Sequence, residues 1–558
     1  MLTHIPLMIK NYYKIIYIRD VQLKLKRCKI MAECIVKTEK GSNEKKRIVI
    51  ISDTHITRYG TEFNVGAFDK GIDKVNKIKN ATLYLHLGDL THSGTFLDYE
   101  HALVQMNKFH PSSDAPLYYI IGNHDALNVG YLLFEEMIGK RHFEYEDNDL
   151  YVLGIDSTRP DLASGIIHQN TIKSIRTRLE QSNRENKLKI VCFHHQTIPI
   201  PKTGKERSAI DDSGDMLQML LEAKADLVIN GHRHISHLYN VASQNKDLFI
   251  FNAGTFSCNK TRYRELFTYN VIDIEQCKIN FRIFPVIESQ YKKEINREIQ
   301  YYLPRNKEPE EKPFCKIIQL SNTLISKKDK KKISRIDHCI ETINKISDID
   351  LVVHNGNLTK NGYEEEILIG KEKFEQLKMP YIIIPGYSDS HPPTWDYWQD
   401  YLGPLDPSYK NDKIFFQGIN SSTSDSTIGF IGRKKLRLLI EKVLRVSQEK
   451  VCGFACFHSL IPTPLSIWRT ELTDAGDVLS QLALSQIDLI LNSTPSVSFN
   501  LKVENSLISN GGNLQKNHFD ETFIEIDIYE DGLVELIENN LRTQNKSLLG
   551  RYSINIFS

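Results

Sequence analysis

Five short polar stretches carry residue types that can hold metal ions and move protons. They are Asp53-Thr54-His55, Gly88-Asp89, Gly122-Asn123-His124-Asp125, His194-His195 and Gly231-His232-Arg233-His234. Mixed nitrogen and oxygen donors suit borderline divalent ions such as Mn, Fe or Zn, whereas an all-oxygen cage would suit Mg or Ca. Residues two apart at a strand end can point to the same side, so Asp53 and His55 could share one ion. The Gly-His-x-His spacing likewise aims two imidazoles one way. Asn123 offers a neutral amide oxygen, His124 a group that holds or gives a proton near neutral pH, and Asp125 a carboxylate able to orient His124. Taken singly each stretch is an ordinary turn, helix cap or surface histidine pair.

Their placement makes them more than that. Arg47–Ile51, Ala81–Leu87, Leu117–Ile121, Lys189–Phe193 and Ala225–Asn230 are apolar, β-rich runs, and each leads directly into one of the clusters. Such runs read as buried strands ending in tight loops. Amphipathic helical segments, such as the one near 170–181, separate them in a βα alternation. That alternation brings two Asp, an Asn and at least four His to one edge of one sheet, where α/β proteins build their sites.

Asp53-x-His55, Gly88-Asp89, Gly122-Asn123-His124-Asp125, His194 and Gly231-His232-x-His234 together resemble the signature of the calcineurin-like metallophosphoesterases, over residues 47–290. Ile198-Pro199-Ile200-Pro201, Gly204-Lys205-Glu206-Arg207 and Ser213-Gly214-Asp215 further resemble the branch related to class III cyclic nucleotide phosphodiesterases. The resemblance implies an αββα sandwich, with mixed β-sheets flanked by helices, and a cofactor of two divalent ions. It implies Asp53, His55 and His234 on one ion, Asn123, His194 and His232 on the other, and Asp89 bridging them. It also implies hydrolysis of a phosphodiester or phosphomonoester by a metal-bridging hydroxide. His124 would stabilise the developing charge or protonate the leaving alkoxide, and Asp125 would fix its tautomer. Substrate contacts are assigned to Arg207 and His195. A one-residue shift would exchange His194 and His195 as ligands. His86, His92 and His237 are read as packing or rim residues.

At 558 residues the chain exceeds the ~250–300 residues at which single cores stop growing, so more than one domain is expected. Apolar content of 41% and charged content of 25% are those of a globular protein. The net charge of +1 gives no argument for a polyanionic partner, and no aromatic-basic pattern marks a nucleic-acid surface. Nine scattered cysteines without a CxxC spacing point to a reducing, cytoplasmic setting rather than a disulfide frame. Residues 1–46 are read as a basic, ill-ordered extension, or as an over-long gene model with the real start at Met31. Residues 1–47 hold twelve Lys/Arg against four Asp/Glu, and no apolar stretch there reaches the ~18–20 residues of a spanning helix.

The second half repeats the first at large period. Ser321-Asn322-Thr323-Leu324 stands where the first half has Ser52-Asp53-Thr54-His55, Gly356-Asn357 for Gly88-Asp89, and Gly386-Tyr387-Ser388-Asp389 for Gly122–Asp125. Cys456-Phe457-His458 is matched to Cys192-Phe193-His194, and Ser493–Ser496 to Gly231–His234. On this alignment His458 is the one retained ligand, and Asn322, Leu324, Asn357, Tyr387, Thr494 and Ser496 replace the others. Two tandem sandwiches are therefore expected: a catalytic one over 47–290 and a degenerate one over 314–558 that has lost its metal ligands. A charged, proline-bearing linker at 291–313 would join them. The functional expectation is a dinuclear metal-dependent phosphoesterase for a nucleotide-like small molecule. The alternative is a metal-bearing scaffold whose degenerate half recruits a partner.

Overall fold

The computed structural model describes residues 44–299, 309 and 312–555, apart from 182–183, 185, 205–208, 245, 448, 466–471, 494–496 and 516–519. Residues 1–43 of the N-terminal extension, Arg207, Thr494 and Ser496 therefore lie outside the described residues. The first lobe begins β1 (Lys46–Ile51), α1 (Val65–Asn76), β2 (Leu83–His86), α2 (Phe96–Met106), β3 (Leu117–Tyr119), α3 (Gly130–Met137). It continues β4 (Phe143–Glu146), β5 (Leu150–Gly154), α4 (Gln169–Leu179), β6 (Leu188–Cys192), α5 (Ser213–Glu222), β7 (Leu227–Asn230). Five antiparallel-prone strands close it: β8 (His237–Ala242), β9 (Asp247–Asn252), β10 (Thr268–Glu275), β11 (Lys278–Pro285) and β12 (Lys293–Glu298).

The second lobe runs β13 (Cys315–Leu320), α6 (Lys330–Ile343), β14 (Leu351–His354), α7 (Glu364–Phe374), β15 (Tyr381–Ile383), α8 (Thr394–Tyr401). After these come β16 (Ser408–Lys410), β17 (Ile414–Gly418), α9 (Arg433–Val443), β18 (Val451–Cys456), α10 (Ala475–Leu484) and β19 (Leu489–Asn492). The lobe ends with β20 (Phe499–Val503), β21 (Ser506–Asn510), β22 (Thr522–Ile528), β23 (Leu533–Asn540) and β24 (Lys546–Ser553).

Strand order is the same in both lobes. One sheet of the first lobe is β3-β2-β1-β10-β11-β12 and that of the second is β15-β14-β13-β22-β23-β24. The other sheet is shared. Strands β4-β5-β6-β7-β9-β8 continue into β20-β21-β19-β18-β17-β16 as one twelve-stranded sheet. The two halves meet where β8 pairs antiparallel with β20, Val241 opposite Val503 and Ala242 opposite Lys502. Parallel central strands such as β1 and β6 are apolar on both faces because both faces are covered. Ile48, Ile50, Leu85 and Ile229 fill the space between the sheets, while Val49 and Ile51 meet Phe68 and Ile72 of α1 outside. Ile317, Val353 and Leu491 repeat the inner layer in the second lobe, and Ile318 with Ile336 of α6 the outer one. Each lobe is thus an αββα sandwich. Across the shared sheet a single apolar cluster joins α4, α5, α9 and α10.

One boundary differs from expectation. Residues 293–298 belong to β12, which pairs with β11, rather than to a linker. Exposed Glu294, Asn296 and Glu298 alternate with half-buried Lys293, Ile295 and Arg297, the signature of a sheet edge kept polar, and composition alone reads that as linker.

Ile198-Pro199-Ile200-Pro201 with Gly214-Asp215, and their second-lobe repeats Ile461-Pro462-Thr463-Pro464 with Gly476-Asp477, mark the interface between lobes. Asp215, at the start of α5, accepts from the Leu465 amide at 2.7 Å, and Asp477, at the start of α10, accepts from the Lys202 amide at 2.6 Å. A Cβ on Gly214 would lie 2.0 Å from the Thr463 carbonyl oxygen, and one on Gly476 2.3 Å from that of Ile200, so only glycine admits this approach at either place.

The repeat also exposes a charge imbalance. Asp226 accepts from the Lys189 amide and pairs with Lys246 at 2.6 Å. Its counterpart Asp488 accepts from the Cys452 amide, and among the described residues it has no cation; burial pushes its pKa up to about 7. A carboxyl whose folded pKa exceeds its unfolded value holds its proton longer when folded, so stability falls as pH rises from about 4 to about 7. Asp488→Asn should therefore stabilise the chain by about 1–2 kcal/mol at pH 8 and by almost nothing at pH 4. Urea denaturation at both pH values checks it; an equal gain at both would refute the assignment.

Candidate metal centre

The strand ends position every cluster. Asp53 and His55 follow β1, Asp89 follows β2, and the Asn123 loop follows β3. His194 follows β6 and His232 and His234 follow β7, so the two sheets deliver their C-terminal edges to one place. Asp53, His55, Asp89, His194 and Asn123 are all buried. Asp53, His55, Asp89, His232 and His234 have φ between 49° and 71°, a left-handed backbone that side chains seldom adopt. Such strain persists where the surroundings over-determine it, and it clusters at functional sites.

The ligand atoms form two groups that share one carboxylate. Asp53, His55, Asp89 and His234 bring one donor atom each within 4.8 Å of one another, and Asp89, His194 and His232 do the same. In the first group His234 Nε2 lies 3.3 Å from Asp53 Oδ1 and 3.1 Å from His55 Nε2, and His55 Nε2 lies 3.3 Å from Asp89 Oδ2. In the second, His194 Nε2 is 3.3 Å from Asp89 Oδ2 and 3.2 Å from Asn123 Oδ1, which lies 2.8 Å from His232 Nδ1. Of the adjacent pair, it is His194 that faces the cluster.

Backbone carbonyls set the tautomers. His194 Nδ1 donates to Leu87 O at 2.7 Å and His234 Nδ1 to Lys260 O at 2.8 Å, so in each neutral ring the inward Nε2 carries the lone pair. Burial works against charge on His194, yet Asp89 and Asp53 push its pKa up to about 9. Burial likewise opposes charge on His234, and Asp53 pushes it up to about 10. Burial holds His55 and His232 well below the ordinary histidine value. Two buried carboxylates therefore draw positive charge into the cluster. Donor types, inward lone pairs and a shared carboxylate fit a pair of divalent ions, and proton release would accompany binding.

Two expectations change. Asp125 does not touch the His124 ring: its carboxylate accepts from the Gly122, Leu90 and Thr91 amides and the Thr91 hydroxyl, at 2.7–3.0 Å. It ties the loops after β2 and β3 together, and burial pushes its pKa up to about 6. The His92 carbonyl takes the orienting part instead, 2.6 Å from His124 Nδ1. His195 is fully buried, its Nδ1 2.8 Å from Ser157 Oγ and its ring centroid 4.7 Å from that of His232. His458 is not the counterpart of His194. Its Nδ1 lies 2.8 Å from Ser421 Oγ, reproducing His195 with Ser157, and Phe457 fills the place of His194 beside Gly356. The slip is one residue, which in a strand exchanges faces.

His86 is a packing residue, its Nε2 3.1 Å from Thr54 Oγ1, and the second lobe keeps this pair as His354 and Thr323 at 3.0 Å. His237 stacks edge-on against Tyr239, away from the cluster. His92 is closer in than expected, 3.2 Å from His55 Nδ1 through its own Nδ1. Cys258 also stands with His55 and His234 as a possible donor, a role its sequence spacing did not signal.

At the matching edge of the second lobe neutral Asn322 and Asn357 stand in place of Asp53 and Asp89. Asn357 Nδ2 donates to Asn322 Oδ1 at 2.9 Å, and Asn322 Nδ2 donates to Ser493 Oγ at 2.9 Å. The Ser388 amide and hydroxyl both reach Asn357 Oδ1 at 3.0 Å. The backbone nevertheless keeps its shape: Asn322, Leu324 and Asn357 retain φ of 56°, 45° and 56°. A leucine in that region costs about 1–2 kcal/mol and ligates nothing.

Residues 46–236 match the calcineurin-like phosphoesterase family. A probable glycerophosphodiester phosphodiesterase, GpdQ, of Arcobacter nitrofigilis is 27% identical over 150 residues, which cover 25% of this chain and 55% of that protein. The match thus spans about half the length of that relative. A purple acid phosphatase from yellow lupin (Lupinus luteus) seeds superposes with a TM-score of 0.38 at 13% identity, over 46% of this chain and 55% of that one. A dimetal phosphatase from Danio rerio superposes with a TM-score of 0.36 at 8% identity, over 44% of this chain and 100% of that one.

Proposed function

With residues 46–236 belonging to the calcineurin-like phosphoesterases, we propose that this protein is a dinuclear-metal phosphoesterase working at the Asp89 cluster. The observation that carries the proposal is one carboxylate shared by two groups of inward-facing donors. Asp53, His55, Asp89 and His234 would hold one ion, and Asp89, Asn123, His194 and His232 the other. Bound there, divalent ions would supply Lewis acidity and an activated water, which the side chains alone lack.

The chain's own residues do the rest. His124 sits at the edge of the cluster, its ring centroid 4.5 Å from that of His55. Because its Nδ1 donates to the His92 carbonyl, Nε2 is the nitrogen that takes or gives a proton. Its amide donates to Asp89 Oδ1 at 2.8 Å, which ties the proton donor to the shared carboxylate. Asp125 keeps the two loops in register beneath them. The second lobe is proposed to be a degenerate copy without metal, its neutral amide network being the support for that reading.

A phosphodiester or phosphomonoester of small size is the proposed substrate, and glycerophosphodiesters, which the relative's name specifies, join nucleotide esters as compounds to test. The experiment is elemental analysis of the purified chain beside assays with bis(p-nitrophenyl) phosphate and p-nitrophenyl phosphate in added manganese. About two ions per chain with turnover is the expected result. About four ions would refute the degenerate reading of the second lobe. Two ions without turnover on any phosphoester would favour the scaffold function, with the second lobe as the recruiting surface. No helix among the described residues is long and apolar enough to cross a membrane.

A further inference from the structure

We infer that the second lobe positions the metal ligand His234 of the first, through Arg433 and Asp477. The inference rests on the proposed metal site and assigns the degenerate lobe a part in it.

His234 is held from two sides. On one side its Nδ1 donates to the Lys260 carbonyl, in the loop that follows β9. On the other it is preceded by Arg233, whose guanidinium donates to the Thr203 carbonyl at 3.1 Å. The two supports are joined, because Arg262 of the Lys260 loop also donates to Thr203 O, at 2.9 Å. One carbonyl therefore fixes both the segment that carries His234 and the segment that orients its ring.

The second lobe grips this assembly at both ends. Asp477 accepts from the Lys202 amide at 2.6 Å, one residue before Thr203. Arg433, at the start of α9, donates to the Tyr263 hydroxyl at 2.6 Å, one residue after Arg262. The gripped segments are strained. Lys202, Tyr263 and Arg264 have φ of 63°, 47° and 60°, so isolated loops would relax away from this conformation. Tyr263 is 58% exposed, and packing alone does not hold it. Hydrogen bonds from the second lobe supply what burial does not. Outer contacts of this kind act on metal ligands by fixing ring orientation, and their loss weakens binding without removing a donor.

The test uses the full-length chain with Mn²⁺ as probe. Arg433→Ala, Asp477→Ala and the double variant are titrated calorimetrically, and the visible spectrum of the Co²⁺-loaded protein is recorded for each. The double variant should bind its weaker Mn²⁺ about three- to tenfold less tightly, with an altered Co²⁺ spectrum and an unchanged far-ultraviolet circular dichroism spectrum. Arg433→Lys and Asp477→Asn, which can keep the hydrogen bonds, should restore both readings. Arg437→Ala on the exposed face of the same helix, 3.8 Å from Glu441, should leave both as in the wild type. Wild-type affinity and spectrum in the double variant would overturn the inference while leaving the metal site intact. A wild-type chain that binds no Mn²⁺ would instead overturn the proposed function on which it rests.

Discussion

Asp89→Asn is expected to lower turnover by at least about a thousandfold and metal content from about two ions per chain to below one. Asp89 is the one residue common to both donor groups, and it is almost fully buried. The amide keeps the shape and an oxygen but removes the charge that neutralises part of two dications, and a single buried charge lost from such a site is worth several kcal/mol. Misfolding is a poor rival explanation, because the chain already contains the substitution. Asn357 occupies the equivalent place with φ of 56° against 53° for Asp89, and the amide of Ser388 bonds to its Oδ1 as that of His124 bonds to Asp89. Elemental analysis and bis(p-nitrophenyl) phosphate hydrolysis on matched samples read the result. A variant that retained two ions and turned over within tenfold of the wild type would refute the shared-carboxylate assignment.

His124→Ala should separate chemistry from metal binding. His124 belongs to neither group that shares Asp89, and it is held from outside by the His92 carbonyl. Removing a positioned proton donor costs typically 10²–10⁴ in rate. The expected result is a fall in kcat of about 10²–10³ with metal content unchanged and KM altered less than tenfold. The loss should be smaller for p-nitrophenyl esters, whose leaving group needs little protonation, than for alkyl phosphodiesters. Loss of metal in this variant would move His124 into the ligand set, a role its proximity to His55 and His92 makes measurable. Asp125→Asn is the useful companion: its effect should appear in stability, because the carboxylate bonds four backbone or hydroxyl donors and not the imidazole.

Much of the molecule was legible in its sequence. Apolar runs such as Arg47–Ile51 and Lys189–Phe193 can be little else than strands covered on both faces, and polar clusters at their ends can only lie on the same edge once the strands are parallel. The repeat was legible for the same reason, since strand-forming positions persisted after Asp53 and Asp89 had given way to Asn322 and Asn357. Contacts that depend on how loops fold back left no trace in residue type. That His124 is oriented by the His92 carbonyl and not by its neighbour Asp125 is a backbone hydrogen bond, and any residue at position 92 offers a carbonyl. The choice between His194 and His195, and the true partner of His458, turn on which face of a strand end a side chain leaves, and a shift of one residue inverts it. Residue spacing determined which donors exist and roughly where they gather. The tertiary structure alone decided which nitrogen faces inward, and that β8 and β20 merge the lobes into one sheet, because both rest on hydrogen bonds between segments far apart in the chain.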